Sequence, residues 1–275
     1  MNKILKLFPL GMIIPLLSGC LFKIENHVNE HAYAVYLGAS EEDIDKFGKY
    51  DEIVIDAQYF SKESIDKIKE SGSKVISYLN IGSIENFRSY YNDYVDLTIG
   101  EYEHWEEERW VDVSSKRWQD FILNDLADQL IAKGVFGFFV DNVDVYYNFH
   151  TPEIYEGVET LLTRLRQKQV YTIINGGDTF VYEYFEKNRT INDILGAVNQ
   201  ETVFSKINWD DGTFGKNDKE EREYFQEYVV NIQRWNARVY LLEYTTDEKL
   251  IEEIKNYCAY NVFDFYISPN LELLP

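Results

Sequence analysis

The sequence predicts an α/β protein, a single-domain (β/α)8 TIM barrel. Eight short, apolar, β-rich runs alternate with amphipathic segments over about 240 residues, which is the element order of that fold. A doubly wound open sheet is the alternative, but no Gly-x-Gly-x-x-Gly signature follows any of the predicted strands. With 45% hydrophobic residues, the 275-residue chain can also fill one large core.

The eight predicted strands are short runs rich in β-branched and aromatic residues. Gly137–Val140, which contains no polar side chain, is typical of a strand buried on both faces in a parallel sheet. In chain order, the predicted strands are Ala34–Gly38, Ile53–Ala57, Lys74–Ile81, Gly137–Asp141, Val170–Asn175, Gly196–Asn199, Arg238–Glu243 and Phe263–Ser268.

Amphipathic segments between these strands predict helices. Thr151 followed by Pro152 combines an N-cap with a proline at the first helical position, and Gly72 and Gly134 follow the ends of two helices. The predicted helices are Glu63–Ser71, Trp118–Lys133, Pro152–Gln167, Glu220–Trp235 and Asp247–Tyr260.

The connection after the third predicted strand is unusually long, from Ser83 to Arg109. A segment of this length in a compact domain is usually functional or disordered, and its aromatic content argues against disorder. We expect a long aromatic loop over the catalytic face, where its rings either stack on sugars or pack the loop down. The rings are Tyr90, Tyr91, Tyr94, Tyr102 and Trp105.

The N-terminus has the pattern of an export signal. Lys3 and Lys6 precede the apolar stretch Leu7–Leu17, which is too short to span a bilayer permanently, and small residues lead to Cys20. The ending Leu-Ser-Gly-Cys resembles a bacterial lipobox, which implies cleavage before Cys20 and lipidation of its thiol. An ordinary signal peptide with a chance cysteine is the alternative.

This pattern sets the expected domain organisation and location. Residues 1–19 are predicted as a lipoprotein signal peptide, 20–32 as a short tether and 33–275 as the barrel. We expect an exported protein, anchored by lipid on the outer side of the bacterial cytoplasmic membrane or at the cell surface. With Cys20 lipidated, Cys258 is the one remaining thiol, so no intrachain disulfide is predicted and Cys258 is expected to be buried.

Charge and histidine content exclude several kinds of partner. A formal net charge of −21 argues against nucleic-acid binding, which needs clustered lysine and arginine, and favours a cationic or neutral polymer. The histidines show no metal-ligand spacing, so neither a metal nor another cofactor is predicted. They are His27, His31, His104 and His150.

Polar side chains cluster at the predicted carboxyl ends of the strands, where barrels of this kind keep their chemistry. Hydroxyl, amide and carboxyl groups dominate there, which suits a polyhydroxylated ligand rather than a phosphate or a redox cofactor. The candidate site residues are Tyr36, Asp56, Tyr78, Asn80, Asp141, Asp144, Asn175, Glu201 and Glu243.

Asp141 and Glu201 are the predicted catalytic pair. Glycoside hydrolysis needs two carboxyl groups flanking the scissile bond, and both residues follow apolar strands from which they can point into one pocket. Burial and mutual repulsion are expected to raise one pKa, that of the acid, while the other group stays ionised. Asp144 is the rival of Asp141, but strand alternation favours a supporting role for it.

Five segments in order resemble the bacterial relatives of glycoside hydrolase family 114, the endo-α-1,4-polygalactosaminidase group. The resemblance covers nearly the whole chain after the signal and implies a TIM barrel that cleaves α-linked galactosamine-rich polysaccharide with retention. It implies Asp141 as the nucleophile and Glu201 as the acid/base. The segments are Glu52–Phe60, Val75–Gly82, Gly137–Asp144, Ile173–Gly177 and Asn199–Phe204.

The resemblance also assigns Asp56, Tyr78 and Asn175 to the sugar site, and it contains one departure. Where the family pattern leads us to expect Gly-Glu-x-Glu, this chain has Ser83, so one acidic group is missing. Three substrates or roles therefore stay open. They are a partly deacetylated, cationic galactosamine polymer, a different α-linked exopolysaccharide, and a surface carbohydrate-binding lipoprotein that has lost catalysis.

Overall fold

The computed structural model describes residues 31–103 and 105–275, and within these ranges eight parallel strands form a nearly closed barrel. Neighbouring strands pair in chain order. The first and eighth strands lie side by side, and beyond them the Gly38 N–H donates to the Leu273 carbonyl at 3.4 Å. The strands are β1 (Tyr33–Tyr36), β2 (Glu52–Ile55), β3 (Lys74–Asn80), β4 (Gly137–Asp141), β5 (Tyr171–Asn175), β6 (Ala197–Glu201), β7 (Arg238–Tyr244) and β8 (Asp264–Ser268).

These strands confirm the predicted barrel, with ends that differ by a few residues. The differences matter at β6 and β7, which end at Glu201 and Tyr244, whereas the predicted strands end at Asn199 and Glu243. The predicted signal peptide, most of the tether and Cys20 lie outside the described residues. Within the described part, no helix has both the length and the apolar composition needed to cross a membrane.

Helices cover the outside of the barrel. Thr151 accepts a hydrogen bond from the Ile154 N–H and caps the helix that begins at Pro152, as predicted. Cys258 is buried in the last helix, also as predicted. The longer helices are α1 (Lys62–Glu70), α2 (Lys116–Asp120, a π-helical turn Phe121–Leu126 and Ala127–Lys133), α3 (Pro152–Gln167), α4 (Asp178–Asn188), α5 (Lys219–Arg234) and α6 (Glu248–Asn261). A 3-10 helix covers Glu41–Lys49. Shorter helical turns cover Ala57–Tyr59, Tyr91–Tyr94, Val95–Leu97 and Val145–Asn148.

Strand alternation divides the core into a barrel interior and a shell between strands and helices. On β4, Phe139 packs in the interior, while Phe138 and Val140 pack in the shell, so Asp141 at the strand end lies on the interior side. Gly137 begins this strand because a Cβ there would stand 2.3 Å from a backbone oxygen of β5. Alternation therefore decides which polar residue at each strand end reaches the cavity.

Two excursions leave the barrel at the carboxyl ends of its strands. The β3 excursion (residues 83–111) contains a three-stranded antiparallel sheet, and the β6 hairpin (residues 205–216) follows β6. Most of the predicted aromatic loop is therefore ordered as strands and turns that are too short to give a sequence pattern. The excursion strands are Ser83–Glu85, Thr98–Glu101 and Glu108–Val111, and the hairpin strands are Ser205–Asn208 and Thr213–Lys216.

Candidate active site

A cavity of about 610 Å³ opens at the carboxyl ends of the barrel strands and is lined by both excursions. Its wall is acidic, and of the described residues that line it Arg88 is the one with a basic side chain. The described ranges hold no group of three or more His, Cys, Asp or Glu side chains arranged to bind a metal ion. The lining carboxyl groups belong to Asp56, Glu85, Glu107, Glu108, Asp141, Asp144 and Glu201.

Asp141 and Glu201 face each other across a single amide group. Asn175 ends β5, between their two strands, and its Nδ2 donates to Asp141 Oδ1 at 2.9 Å and to Glu201 Oε1 at 2.7 Å. Because both bonds leave one nitrogen, these two carboxyl oxygens lie at most about 5.6 Å apart. The structure therefore brings the predicted pair together, through a residue predicted in the same site.

A tyrosine holds the other oxygen of each carboxyl group. The Tyr78 hydroxyl donates to Asp141 Oδ2 at 3.0 Å, and the Tyr244 hydroxyl donates to Glu201 Oε2 at 2.7 Å. Burial raises the pKa of both carboxyl groups, and these hydrogen bonds oppose the rise. The negative charge of Asp141 raises the pKa of Glu201 further, which favours a state with Glu201 protonated and Asp141 ionised.

Hydrogen bonds from neighbouring strands fix the orientation of the Asn175 amide. Its Oδ1 accepts a bond from Asn199 Nδ2 at 2.7 Å, and Asn199 Oδ1 accepts one from the Tyr33 hydroxyl at 3.3 Å. Since Oδ1 of Asn175 is occupied in this way, its Nδ2 faces the two carboxyl groups. Asn199 is not among the site residues predicted from the sequence, although it stands two residues before Glu201 on β6 and therefore shares its face.

Asp144 also lines the cavity, because β4 ends at Asp141 and strand alternation does not extend to it. Burial and the negative charges of Asp178 and Asp141 raise the pKa of Asp144 to about 7. Gly176 lies against this carboxyl group: a Cβ there would stand 3.0 Å from Asp144 Oδ2, and its backbone is left-handed. Asp144 therefore lies beside the pair, where the sequence predicts a supporting role.

Asp56 contributes to the wall as part of a buried charge cluster. Arg88 donates to Asp56 Oδ2 at 2.6 Å and to Glu85 Oε1 at 2.8 Å, and all three side chains are buried. Burial raises the pKa of Asp56, and the positive charge of Arg88 opposes the rise. The sequence predicts Asp56 here but not Arg88, because nothing in the β3 excursion indicates which of its side chains turns back towards the barrel.

Glu243 does not reach the cavity, so its predicted place in the sugar site is corrected. On β7 it alternates with Leu242 and Tyr244, which belong to the barrel interior, and its own side chain is fully buried. Its carboxyl group accepts bonds from the Phe204 N–H at 3.0 Å and from the N–H and hydroxyl of Ser205 at 2.8 and 2.6 Å. Glu243 therefore anchors the start of the β6 hairpin.

Tyr36 and Asn80, which are predicted in the site, do not line the cavity either. The Tyr36 ring packs in the shell outside the barrel and stacks on Phe47, with ring centroids 5.7 Å apart. Asn80 is buried under the β3 excursion, where its Nδ2 donates to Ser83 Oγ at 2.6 Å and to Glu108 Oε1 at 2.8 Å. Asn80 thus supports a lining side chain and does not line the cavity itself.

Two tryptophans from different excursions meet at the cavity. Trp105 of the β3 excursion and Trp209 of the β6 hairpin lie edge to face, with ring centroids 5.8 Å apart, and are 43% and 41% exposed. Trp105 is one of the rings predicted over the catalytic face, whereas Trp209 stands in a hairpin that the sequence pattern does not reveal. Exposed rings in a cavity wall can stack against sugar faces.

Solved glycoside hydrolases have the same fold at low sequence identity. The glycoside hydrolase domain of PelA from Pseudomonas aeruginosa has a TM-score of 0.75 at 15% identity, covering 89% of this chain and 96% of that one. Ega3 from Aspergillus fumigatus, in complex with galactosamine, has a TM-score of 0.66 at 18% identity, covering 90% and 93%. An α-galactosidase from Thermus thermophilus has a TM-score of 0.57 at 10% identity, covering 89% and 59%.

The sequence matches one family model over most of its length. No curated protein matches the chain. The model of glycoside-hydrolase family GH114 matches residues 24–267, a range that begins before β1 and ends one residue before the end of β8. This match confirms the resemblance carried by the five sequence segments. The chain is therefore a glycoside hydrolase of family GH114.

Proposed function

We propose that this protein hydrolyses an α-linked, galactosamine-containing polysaccharide with retention of anomeric configuration. The observation that carries the proposal is the shared amide of Asn175, which keeps the nearest oxygens of Asp141 and Glu201 within about 5.6 Å. Retaining enzymes hold their carboxyl groups roughly 5–5.5 Å apart, whereas inverting enzymes need about 6.5–9.5 Å to admit a water. The short spacing supports double displacement.

In the first step, Asp141 attacks the anomeric carbon and Glu201 protonates the leaving oxygen. Hydrogen bonds from Asn175 and Tyr78 orient Asp141 and favour its ionised form. Burial and the charge of Asp141 favour the protonated form of Glu201. The surroundings of the two carboxyl groups thus support different roles.

In the second step, Glu201 removes a proton from the water that attacks the glycosyl-enzyme. Esterified Asp141 carries no charge, so the repulsion that raised the pKa of Glu201 disappears. The pKa of Glu201 then falls, and the same group can change from acid to base. Tyr244 holds Glu201 in position throughout.

The charge and the aromatic rings of the cavity support a cationic amino-sugar polymer. Of its described lining residues, seven carry a carboxyl group and one a guanidinium, a balance that attracts a protonated amine. The Ega3 structure holds galactosamine, which supports the same sugar here. Several exposed rings could each stack on a sugar residue, which supports endo action on a polymer. These rings belong to Tyr59, Phe87, Trp105 and Trp209.

Product analysis tests the proposal. Purified protein is incubated with deacetylated and N-acetylated α-1,4-galactosamine oligomers and with other α-linked polysaccharides, and new reducing ends are measured. We expect cleavage of the deacetylated oligomers, with the α-anomer as the first product in proton NMR. The β-anomer as first product would contradict retention, and cleavage of another polymer alone would contradict galactosamine. Saccharide binding without cleavage would favour a carbohydrate-binding protein that has lost catalysis.

We also propose that a lipid on Cys20 anchors the exported protein at the outer side of the cytoplasmic membrane or at the cell surface. The support is the Leu-Ser-Gly-Cys ending behind a basic and then apolar N-terminus. Labelling cells with a palmitate analogue tests the anchor. Label should enter the wild type and Cys258→Ser but not Cys20→Ser, and label retained in Cys20→Ser would contradict the anchor.

A further inference from the structure

Two carboxyl groups of the β3 excursion oppose each other in the cavity wall. Glu85 and Glu108 are direct cross-strand partners in the antiparallel sheet, and both line the cavity. Directly opposed side chains have Cβ atoms about 4.5–5.5 Å apart, a distance at which like charges repel each other. A positive charge between them would remove this repulsion.

Glu108 is fixed through one of its two oxygens. Its Oε1 accepts bonds from Asn80 Nδ2 and Asn142 Nδ2, each at 2.8 Å, and from the hydroxyl of Ser83. All three donors reach Oε1, and no hydrogen bond from the described residues reaches the second oxygen of this cavity-lining group. Burial, together with the nearby charge of Glu85, raises the pKa of Glu108 to about 7.

Glu85 has an oxygen without a partner. Arg88 donates to Glu85 Oε1 at 2.8 Å, but among the described residues Glu85 Oε2 has no hydrogen-bond partner, in a residue that is 6% exposed. A buried carboxylate oxygen in this state is costly. Arg88 also bonds Asp56, so its single positive charge is divided between two carboxyl groups. This part of the wall therefore has surplus negative charge and a buried acceptor without a partner among the described residues.

We propose that Glu85 and Glu108 form a subsite for the ammonium group of an amino sugar, next to the Asp141–Glu201 pair. The subsite rests on the proposed function, because it assigns the amine of that substrate to two residues. An ammonium group brings one positive charge and three donors. This suits two carboxyl groups that each have an oxygen without a hydrogen bond from the described residues. Asn142, the residue after Asp141, bonds Glu108 and so ties the subsite to the end of β4.

The same contacts account for the departure at Ser83. The sequence leads us to expect an acid at this position, and the structure has a serine whose hydroxyl bonds Glu108. The carboxyl group thus comes from the strand Glu108–Val111 rather than from the strand that begins at Ser83. The negative charge expected beside the pair is present, supplied by a different residue.

Glu108→Gln tests the subsite with amine and acetamide substrates. Glutamine keeps the shape of the side chain and an acceptor oxygen, but it removes the charge. We expect kcat/KM for deacetylated galactosamine oligomers to fall at least about tenfold, mainly through KM, and kcat/KM for N-acetylated oligomers to change less than about twofold. Glu101→Gln removes an equal charge from an exposed position of the same excursion and should leave both values unchanged.

Moving the charge gives a second test. In Ser83→Glu combined with Glu108→Ser, the carboxyl group is carried by the neighbouring strand, and we expect the preference for the amine substrate to recover towards the wild-type ratio. Equal losses on both substrates in Glu108→Gln, without recovery in the double variant, would make Glu108 a positioning residue for Asp141. An unchanged substrate ratio in Glu108→Gln would overturn the subsite.

Binding measurements test the ammonium subsite independently of the proposed reaction. In Asp141→Asn, which blocks turnover, calorimetry should give a lower Kd for galactosamine than for galactose, and adding Glu108→Gln should make the two values equal. Equal affinities in Asp141→Asn would overturn the subsite even if the wild-type protein cleaves the polymer. The protein could instead prefer the amine through Glu108 and yet cleave no galactosamine polymer. That result would contradict the proposed reaction but support the subsite.

Discussion

The pKa of a buried glutamate is lowered at one end of the barrel interior and raised at the other. At the amino end, Glu52 accepts bonds from the Tyr240 hydroxyl at 2.6 Å and from Lys74 and Arg238 at 3.1 Å each. Burial pushes its pKa up, but these partners outweigh burial and hold the pKa of Glu52 below its ordinary value. At the carboxyl end, Glu201 is held by two neutral donors, an amide and a phenol, and its pKa is raised.

This difference shows how the barrel separates stability from chemistry. Matched charges at the amino end make Glu52 a lasting anion that ties β2 to β3 and β7. Neutral donors at the carboxyl end orient Glu201 without fixing its charge, so it is able to gain and lose a proton. Substitutions at the carboxyl end should therefore change rates, and substitutions at the amino end should change stability.

The largest effect is expected for Asp141→Asn. Asparagine has nearly the same shape but cannot form the glycosyl ester, so kcat should fall by about 10⁴-fold or more. The melting temperature should stay the same or rise, because a buried acid with a raised pKa is replaced by a neutral group. Reducing-end assays and thermal unfolding measure the two effects. A large fall in melting temperature would give Asp141 a structural role like that of Glu52.

Asn175→Ala should give the next largest effect, on the rate and its pH dependence. The amide lowers the pKa of Asp141 and of Glu201, because it bonds their ionised forms. Without it both pKa values should rise, because each ionised carboxyl group loses a hydrogen bond that stabilises its charge. The acid limb of the profile of kcat/KM against pH, set by ionisation of Asp141, should move to higher pH. A limb that stays in place would contradict the proposed bridge.

Glu52→Gln should reduce stability and leave kcat/KM within about twofold of the wild type. The bonds from Lys74 and Arg238 lose their charged acceptor, and the free energy of unfolding should fall by about 2 kcal/mol at neutral pH. Because the pKa of Glu52 is lowered in the fold, its contribution is present above the ordinary glutamate pKa of about 4.3 and is lost as the pH falls through the lower folded value.

Denaturant unfolding of the wild type and Glu52→Gln at neutral pH and at about pH 3 measures this contribution. The wild-type advantage should be smaller at the lower pH. An advantage that is the same at both pH values would mean that the charge of Glu52 does not stabilise the amino end. A large loss of activity in a folded Glu52→Gln protein would contradict the claim that the amino end of the barrel affects stability and not the reaction rate.

Much of the fold and the central pair follow from the sequence because parallel strands and their helices have distinct patterns. Apolar runs identify the eight barrel strands, and the carboxyl ends of β4 and β6 bring Asp141 and Glu201 together. Tyr36 and Glu243 are wrong for one reason: adjacent residues at a strand end point to opposite faces, and composition does not say which of the two faces the interior.

Two of the missed residues, Tyr244 and Glu108, lie outside the predicted strands. Tyr244 stands one position past the predicted end of β7, so a strand one residue longer would include it. Glu108 has no comparable signal. Its place depends on how two very short strands pair, Ser83–Glu85 with Glu108–Val111, and strands this short carry too little alternation to set their register from sequence.

The smallest effect is expected from two matched hydroxyl deletions, one on a side chain inside the barrel and one on a side chain outside it. Tyr78→Phe removes the interior bond to Asp141, and kcat/KM should fall about tenfold because a hydrogen bond to a charged group is lost. Tyr36→Phe removes a hydroxyl from the outer shell, and kcat/KM should change by less than about twofold with a modest loss of stability. Both variants delete one oxygen from a tyrosine near a strand end, so the ratio of their kcat/KM values isolates the face. Equal losses of kcat/KM in the two variants would mean that Tyr36 belongs to the sugar site after all. The face of the strand would then not determine which tyrosine affects catalysis.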